Sequence, residues 1–284
     1  MATKKKQHII PECYLRAWCD PNPPPGHNPF IWRISKTGIW VTRRSPEKSF
    51  AATDKYTIRL PNGERNLVIE DTLGEIESHF VSVLTKIRKC QRLSATDRAR
   101  LCVFAAAMHS RTVSAGEHWR RQWGQVHEMV VNMEQAQNLR PITSLRTAKM
   151  VELAPQQAIA SSLEFEPPML FKMQMAIFIT EDDTGFITSD RPCVWFNPSL
   201  RDAPPIYRAP GLGQREIEVT LPLTPHHLLL ISHSREFLEY TAATDEVLTN
   251  SNSLRRYACS EEFISWKGAT RAEWFTSAEE PTEP

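Results

Sequence analysis

Several short motifs that mark well-known protein classes are missing from this chain. It has no C-x-x-C pair, no G-x-G-x-x-G, no P-loop, no G-x-S-x-G and no H-E-x-x-H. These motifs supply phosphate-binding loops, nucleophile elbows and metal ligands, so their absence disfavours nucleotide-binding and serine-hydrolase classes and predicts no nucleotide cofactor. The six cysteines are scattered, which predicts reduced thiols rather than a disulfide framework or a zinc ribbon.

Long apolar runs and a strong charge of one sign are also missing. No stretch reaches the ~20 apolar residues of a membrane span, and no long apolar segment comes after the basic start at 1–6. We therefore expect a cytoplasmic protein with no membrane partner. The formal net charge of +1 gives no overall attraction to nucleic acid, and short basic runs such as Arg43–Arg44 and Arg255–Arg256 are interpreted as solvated surface.

What is present predicts a folded α+β protein. Apolar residues make up 41% and charged residues 24% of the chain, as in ordinary soluble domains. Apolar and aromatic runs at 30–34 and 39–42 flank a short Gly-containing loop, which predicts a β-hairpin. A further strand is predicted at 56–60, before a Pro-Asn-Gly turn.

The middle of the chain has helical periodicity. One helix is predicted over 67–89, and a long helical face over 94–133 with Gly116 as a kink or break. Shorter helices are expected around 143–163, and the prolines at 167 and 168 are expected to end helical structure. The stripe of the first helix consists of Ile69, Leu73, Ile76, Phe80, Leu84 and Ile87.

The C-terminal part changes to short apolar strands separated by turn residues. Strands are predicted at 176–180, 186–188, 193–196, 217–220 and 228–231, and a closing helix at 245–257. The predicted architecture is therefore an N-terminal hairpin region (8–66), a central bundle of long helices (67–165) and a small, mainly antiparallel sheet with a closing helix (170–265). We predict one domain over 8–275, with a disordered start at 1–7 and a disordered tail at 276–284.

Two acidic residues stand on one face of the first long helix. Glu70 and Glu77 are seven residues apart, so they differ by only about 20° around the helix axis. Gly74 lies between them and leaves that patch uncovered. Paired carboxylates at the edge of a core can hold a divalent metal or act as acid and base. The alternative is that both glutamates simply reach solvent.

The next helix carries a basic residue that fits two kinds of chemistry. Arg111 and His118 have the R-x4-6-H spacing found in HEPN ribonucleases, in which Arg and His act on an RNA 2′-OH and phosphate. Arg111 is also suited to binding a phosphate or carboxylate, or to forming a structural ion pair with Glu70 or Glu77. The motif is short, so these interpretations stay open at this point.

Two further polar residues complete the candidate site. Asp190 comes after an apolar strand and precedes Pro192, which makes it a candidate metal ligand or base, with a local turn that satisfies backbone N–H groups as the alternative. His8 is a candidate general base because imidazole titrates near neutrality. His226 and His227 are adjacent strand residues that point to opposite faces, which disfavours a shared metal there.

Several blocks, taken in order, resemble the bacterial and phage family called domain of unknown function 4238. The blocks run over about 8–265, and the chain departs from the family pattern mainly in having Trp18 as the aromatic residue of the first block. The resemblance implies where a site lies and not which activity it has. The candidate residues that fall on the blocks are His8, Glu70, Glu77, Arg111 and Asp190, and His118 lies outside the blocks. The blocks are His8-x-x-Pro11-x-x-Tyr14-Leu15-Arg16-x-Trp18, Ile69-Glu70 with Glu77, Arg111, Ile187-Thr188-Ser189-Asp190-Arg191-Pro192, Leu221-Pro222-Leu223-Thr224-Pro225, and Asn250 with Ala258.

The sequence supports three functional hypotheses. The first is a phosphodiester hydrolase, a metal-dependent nuclease, in which Glu70, Glu77 and Asp190 hold Mg²⁺ or Mn²⁺, His8 is the general base and Arg111 contacts the phosphate of RNA or DNA. The second is a non-catalytic binding or interaction protein, for example in a phage-defence or toxin system, with a buried polar network. The third is a metal-independent ribonuclease that uses Arg111 and His118.

Overall fold

The computed structural model describes residues 6–26, 28–200, 203–204, 209–234 and 236–276. Helix accounts for 47% and strand for 19%, in an α+β arrangement. The helices are α1 Glu12–Leu15, α2 Val68–Ile87, α3 Ala95–Ser110, α4 Val113–Ala136, α5 Ile142–Glu152, α6 Ala154–Phe171, α7 Asp245–Ala258 and α8 Glu273–Thr276. The strands are β1 Lys6–His8, β2 Ile31–Ser35, β3 Val41–Arg44, β4 Ala51–Thr53, β5 Ile58–Arg59, β6 Arg65–Asn66, β7 Gln174–Ile179, β8 Thr188–Ser189, β9 Val194–Phe196, β10 Glu218–Thr224, β11 His227–Ser232, β12 Tyr240–Ala242 and β13 Glu262–Ser265.

The larger sheet has five strands in the order β12-β7-β11-β10-β9. All its pairings are antiparallel except that of β12 with β7, and Leu229 of β11 lies opposite Leu221 on one side and Ile177 on the other. Every residue of β11 is buried, since the sheet is covered on both faces. The mainly antiparallel C-terminal sheet predicted from the apolar runs is confirmed.

The smaller sheet joins the two ends of the chain. Its order is β3-β2-β13-β8, so the predicted hairpin of β2 and β3 is confirmed but does not stand alone. Strand β13 supplies partners for the second edge of β2, with Phe263 opposite Ile34. The N-terminal hairpin region is therefore joined to the C-terminal part, because the inner edge of β2 needs hydrogen-bond partners and the distant β13 provides them.

Helix α3 lies at the centre of the helical part and is apolar almost all round. It ends at Ser110, and Thr112 starts α4 by accepting a hydrogen bond from the Ala115 N–H at 3.2 Å. The long helical face predicted over 94–133 is thus two helices that break at 111–112, not at Gly116. Helix α6 continues through the two prolines that were expected to end helical structure, since Pro167 and Pro168 lie inside it.

One apolar cluster draws on all three parts of the chain. Leu15 from the N-terminal part, Phe80 and Phe104 from the helices, and Ile177 and Leu221 from the larger sheet all belong to it. The rings of Phe80 and Phe104 stack with centroids 3.8 Å apart and an interplanar angle of 3°. This packing fixes α2 against α3 and so positions the polar residues that border it.

The ends of the predicted domain differ slightly from the structure. Lys6 and Gln7, assigned to a disordered start, form strand β1, in which Gln7 is buried and donates to Thr57 Oγ1. The rest of that start, 1–5, lies outside the described residues, as does 277–284 of the predicted tail. Within the ranges that the structure describes, no helix is both long and apolar enough to cross a membrane.

Candidate functional site

Arg111 is the centre of the polar cluster that the sequence predicted. It caps the C-terminal end of α3, and only 2% of its side chain is exposed. Its Nη1 donates to Glu77 Oε1 at 2.8 Å, and its Nη2 donates to the backbone carbonyl of His8. The Glu77 carboxylate on α2 and the β1 backbone thus meet at one buried cation.

Tyr56 is a member of this cluster that sequence reasoning missed. Its hydroxyl donates to the Arg111 carbonyl at 2.7 Å, and 1% of the residue is exposed. Burial raises the pKa of Tyr56 to about 12; Arg111 opposes that rise, and Glu70 and Glu77 add to it. No motif marks Tyr56, because it stands at the start of a predicted strand and has the pattern of an ordinary core aromatic.

The two glutamates of α2 lie on one side of the helix, as their spacing predicted. Both contribute to the electrostatic environment of Tyr56. A Cβ added at Gly74 between them would meet no atom within 4 Å, so the space in front of that patch is open. The carboxylates therefore border the cluster, with Glu77 in direct contact with the Arg111 guanidinium.

Arg111 also changes the ionisation of its neighbours. Burial lowers the pKa of its guanidinium, but Tyr56 and Glu77 more than offset this and the net shift is upward. The charges of Glu77 and Arg111 also act on Cys13. Burial and, to a smaller extent, Glu77 raise the pKa of its thiol to about 12, and Arg111 opposes this rise. The cluster thus holds a fully charged arginine beside a protonated thiol, which is a poor nucleophile.

His8 takes part through its backbone, whereas its imidazole points elsewhere. The ring Nε2 lies 2.9 Å from the carbonyl of Glu47, and since a carbonyl only accepts, Nε2 carries the proton. That hydrogen bond ties β1 to the 3-10 turn at Pro46–Lys48. The structure brings the His8 carbonyl, not its predicted basic nitrogen, to Arg111.

Asp190 is held in a different part of the fold. Its Oδ1 accepts from the Ser260 N–H at 2.9 Å and its Oδ2 from the Glu261 N–H at 3.0 Å, so it fixes the turn between α7 and β13. Burial raises the pKa of Asp190, and the two backbone N–H groups and Arg191 oppose this rise. Asp190 thus satisfies backbone N–H groups, as the alternative expected, but those of a turn 70 residues later and not of its own local turn. None of its described contacts reaches the Arg111 cluster.

The predicted metal ligands do not form one group. Across the ranges that the structure describes, which include Glu70, Glu77 and Asp190, no set of three or more His, Cys, Asp or Glu side chains is placed to hold a metal ion. The predicted partner of Arg111 in the ribonuclease motif also lies apart, because His118 is an exposed residue of α4 while the Arg111 guanidinium is buried against Glu77.

The family blocks meet in a second buried network. Tyr14 donates its hydroxyl to the Pro222 carbonyl at 2.8 Å and accepts from Thr188 Oγ1 at 2.6 Å. Trp18 donates its indole N–H to the Phe186 carbonyl at 3.0 Å. These contacts tie the first block to the β8 and β10 blocks, so the pattern that carries the resemblance is in large part a pattern of internal hydrogen bonds.

A buried arginine completes that network. Arg255 has no exposed surface; its Nη1 donates to the Pro192 carbonyl at 2.6 Å, and its Nη2 to the Thr220 carbonyl at 3.2 Å and Oγ1 at 3.0 Å. Burial lowers its pKa to about 10, against Tyr14 and Cys193, which leaves it charged at neutral pH. The sequence pattern of short basic runs predicted a solvated Arg255, and the structure corrects this.

A histidine–carboxylate pair is the other feature that sequence reasoning missed. His109 of α3 places Nδ1 3.1 Å from Glu166 Oε1 of α6, and its ring stacks on Trp195 with centroids 4.1 Å apart. Glu166 Oε2 is buried and has no hydrogen-bond partner among the described residues. The sequence separation of 57 residues explains why no local spacing revealed the pair.

Comparison with known proteins gives one match. The family model described as protein of unknown function DUF4238 matches residues 6–267. Neither the curated proteins nor the solved structures give a match.

Proposed function

The chain belongs to the DUF4238 family, and we propose that it is a non-catalytic interaction protein whose polar cluster braces the fold. The observation that carries this proposal is the ion pair of Arg111 and Glu77, 2.8 Å apart, together with the His8 carbonyl on the same guanidinium. The charge that a phosphodiester hydrolase would offer to its substrate is already balanced inside the chain.

Burial strengthens this argument. With 2% of its side chain exposed, Arg111 has little surface to offer a phosphate. A substrate phosphate would have to replace Glu77 and bring its own charge into a low-dielectric site, which costs several kcal/mol unless new hydrogen bonds compensate. A buried ion pair orients elements against each other, and here it orients α2 and α3 against β1.

The metal-dependent nuclease stays a prediction, and so do its Mg²⁺ or Mn²⁺ ion and its RNA or DNA substrate. Two of its three proposed ligands have other partners: Glu77 contacts Arg111, and Asp190 accepts from two backbone N–H groups. We place the interaction protein in the cytoplasm, which is supported by six cysteines that are all free thiols, as a reducing compartment favours.

The test is a cleavage assay on the purified chain. Single-stranded RNA, single-stranded DNA and duplex DNA are incubated with Mg²⁺, with Mn²⁺ and with EDTA, and bound metal is measured by elemental mass spectrometry. We expect no metal-stimulated cleavage and far less than one metal ion per chain. Metal-stimulated cleavage that Glu77→Gln or Asp190→Asn abolishes in a folded protein, with Glu75→Gln as the unaffected control, would contradict the proposal.

One observation favours a second candidate, a metal-independent hydrolase with His109 as general base. A carboxylate on Nδ1 holds an imidazole in the tautomer whose Nε2 accepts a proton, and no hydrogen bond of His109 Nε2 is found in the described part of the chain. Hydrolysis of bis-p-nitrophenyl phosphate in EDTA measures this activity. Loss in His109→Asn with retention in His118→Asn would support the second candidate over the Arg111–His118 ribonuclease.

A further inference from the structure

Among the residues that the structure describes, no strand pairs with the outer edge of β3 in the smaller sheet. It is the outer strand in the order β3-β2-β13-β8, and each of its residues, Val41–Arg44, is exposed. An outer strand carries a row of backbone N–H and C=O groups that the sheet itself does not use. Another extended segment can complete that row, and this is a recurrent way in which proteins bind peptides.

The hydrogen-bond register shows which residues offer those groups. Ser35 N–H donates to the Trp40 carbonyl at 3.1 Å at the start of the hairpin ladder. In an antiparallel pair, hydrogen-bonded positions alternate, so Thr42 and Arg44 direct their backbone groups to β2. Val41 and Arg43 therefore direct their backbone N–H and C=O groups outward, to the open side.

The entry to the open edge is apolar. Ile39 is 84% exposed, Trp40 43% and Val41 49%. Three consecutive large apolar residues normally bury more of their surface than this. A strand added beside β3 would place alternate side chains next to these three residues. The edge thus combines unsatisfied backbone groups with apolar surface, which an extended polypeptide can use together.

The charges on β3 indicate the sign of the occupant. The Arg43 guanidinium lies over the rings of Trp32 and Phe30, 4.3 Å and 5.2 Å from their centroids. Stacking holds the stem in place while the N–H donors stay at the rim. Over the described ranges, neither Arg43 nor Arg44 is within 4.0 Å of a carboxylate.

The same charges argue against the simplest alternative occupant. A second copy paired edge to edge would bring Arg43 and Arg44 of both copies close together, and like charges on adjacent strands destabilise the pairing. Nucleic acid would satisfy the charges, but its sugar–phosphate backbone has no N–H and C=O groups to complete the ladder at Val41 and Arg43. An acidic extended polypeptide provides both the negative charge for the arginines and the backbone amides for the ladder.

We propose that the open edge of β3 binds an acidic, extended segment of a partner protein by strand addition, with Val41 and Arg43 pairing its backbone, Arg43 pairing its carboxylates on the Trp32 face of the sheet, and Arg44 adding positive charge from the opposite face. This rests on the proposed interaction function and names its partner class. The occupant alternates acidic and β-branched residues, since successive side chains of an added strand face opposite sides of the sheet.

The experiment measures binding of a fluorescein-labelled peptide of alternating Val and Glu to the full chain by fluorescence anisotropy. We expect saturable binding that the double variant Arg43→Glu, Arg44→Glu weakens by about tenfold or more. The control double variant Arg146→Glu, Lys149→Glu changes the net charge equally on the exposed face of α5 and should bind as the native chain does. A peptide of alternating Val and Lys should not bind.

N-methylated peptides test strand addition without altering the protein. In an added strand, every second backbone N–H faces β3. Methyl groups on these nitrogens block the hydrogen bonds to β3, whereas methyl groups on the remaining nitrogens point away from β3. We expect one methylated peptide to lose binding and its counterpart to keep it. Equal affinity for both peptides, or no binding of the unmethylated peptide, overturns the proposal.

Two other results would also overturn it. One is tighter binding of single-stranded oligonucleotides than of the acidic peptide, abolished by the arginine variants. The other is a dimer in light scattering that the same variants dissociate. These binding results do not test catalysis. Metal-stimulated cleavage of nucleic acid would refute the proposed interaction function itself. Failed peptide binding without cleavage would refute only the proposed role of β3.

Discussion

Two buried charges of the helical region and two of the sheet region are held in opposite ways. In the helical region Arg111 contacts Glu77, and Asp97 contacts Lys86, both pairs at 2.8 Å. In the sheet region the hydrogen bonds of Arg255 within the described residues go to carbonyl and hydroxyl oxygens. Asp190 there accepts from backbone N–H groups. Counter-charges hold the first two groups, and neutral dipoles hold the other two.

The pKa shifts agree with this division. The Lys86 hydrogen bond is the largest contribution in lowering the pKa of Asp97 to about 2, and the neighbours of Arg111 raise its pKa despite burial. Burial prevails in the sheet region, where it lowers the pKa of Arg255 to about 10 and raises that of Asp190. Counter-charges outweigh burial at Asp97 and Arg111, whereas the backbone N–H groups around Asp190 favour its charged form without offsetting burial.

The two kinds of partner make these groups sensitive to different changes. Side chains on adjacent helices can adjust to keep a pair in contact, so the helical region responds to removal of a partner charge and to pH. The oxygens around Arg255 belong mostly to fixed backbone, so the sheet region responds to any change in the shape of the donor. Four measurements test the comparison, in order of expected effect.

The largest effect should come from Arg255→Ala. It leaves the Pro192 and Thr220 carbonyls without donors and opens a cavity, for a loss of ~4 kcal/mol in the free energy of unfolding. Arg255→Met fills the space and removes the buried charge, so it should lose only ~2 kcal/mol. Urea denaturation measures both, with Arg256→Ala as the control; equal losses for Ala and Met would show that the hydrogen bonds alone matter.

Next, Glu77→Ala should lower the free energy of unfolding by ~3 kcal/mol, because it leaves the Arg111 guanidinium buried without a carboxylate. The exposed neighbour Glu75→Ala on α2 should change it by less than ~0.5 kcal/mol. Adding Arg111→Met to Glu77→Ala should recover part of the loss. If the double variant is less stable than the sum of the single ones, Arg111 and Glu77 do not stabilise each other as counter-charges.

Acid titration separates the two aspartates. The folded pKa of Asp97 lies below its unfolded value, so its stabilisation is present above about pH 4 and is lost as the pH falls towards 2, by ~1–2 kcal/mol. The folded pKa of Asp190 is raised, so its contribution has the opposite sign and is lost as the pH rises through that value. Asp97→Asn should therefore flatten the acid limb of stability against pH, and Asp190→Asn should steepen it.

The smallest effect is that of salt. Raising the ionic strength screens the partly exposed Lys86 and should reduce the stabilisation from its pair with Asp97 by less than ~1 kcal/mol. The salt dependence of unfolding should fall in Asp97→Asn and stay unchanged in Asp190→Asn. An equal change in both variants would mean that dipole-held and ion-paired carboxylates do not differ in this respect.

Local patterns in the sequence predicted local structure well. The β2–β3 hairpin, α2 and α7 can be predicted from periodicities and turn residues within a few positions, and the shared face of Glu70 and Glu77 from helix geometry alone. The break after Ser110 was misplaced, because Gly116 is a weaker stop than the cap that Thr112 forms with Ala115.

Contacts across the chain could not be predicted in the same way. Asp190 binds the backbone 70 residues later, and His109 pairs with Glu166 on another helix. Periodicity carries no information on which distant segment lies opposite, so Glu77 with Arg111 was one of several open interpretations. The closure of the smaller sheet by β13 was missed for the same reason.

The Tyr14 hydroxyl has a consequence for synthesis of the protein. Its partners Thr188 and Pro222 lie 174 and 208 residues later in the chain. At typical elongation rates of ~5–20 residues per second, the aromatic N-terminal segment waits ~10–40 s after leaving the ribosome before β10 exists. Helices α2 and α3 can pair in the meantime, whereas the N-terminal segment needs protection from aggregation until nearly the whole chain has been made.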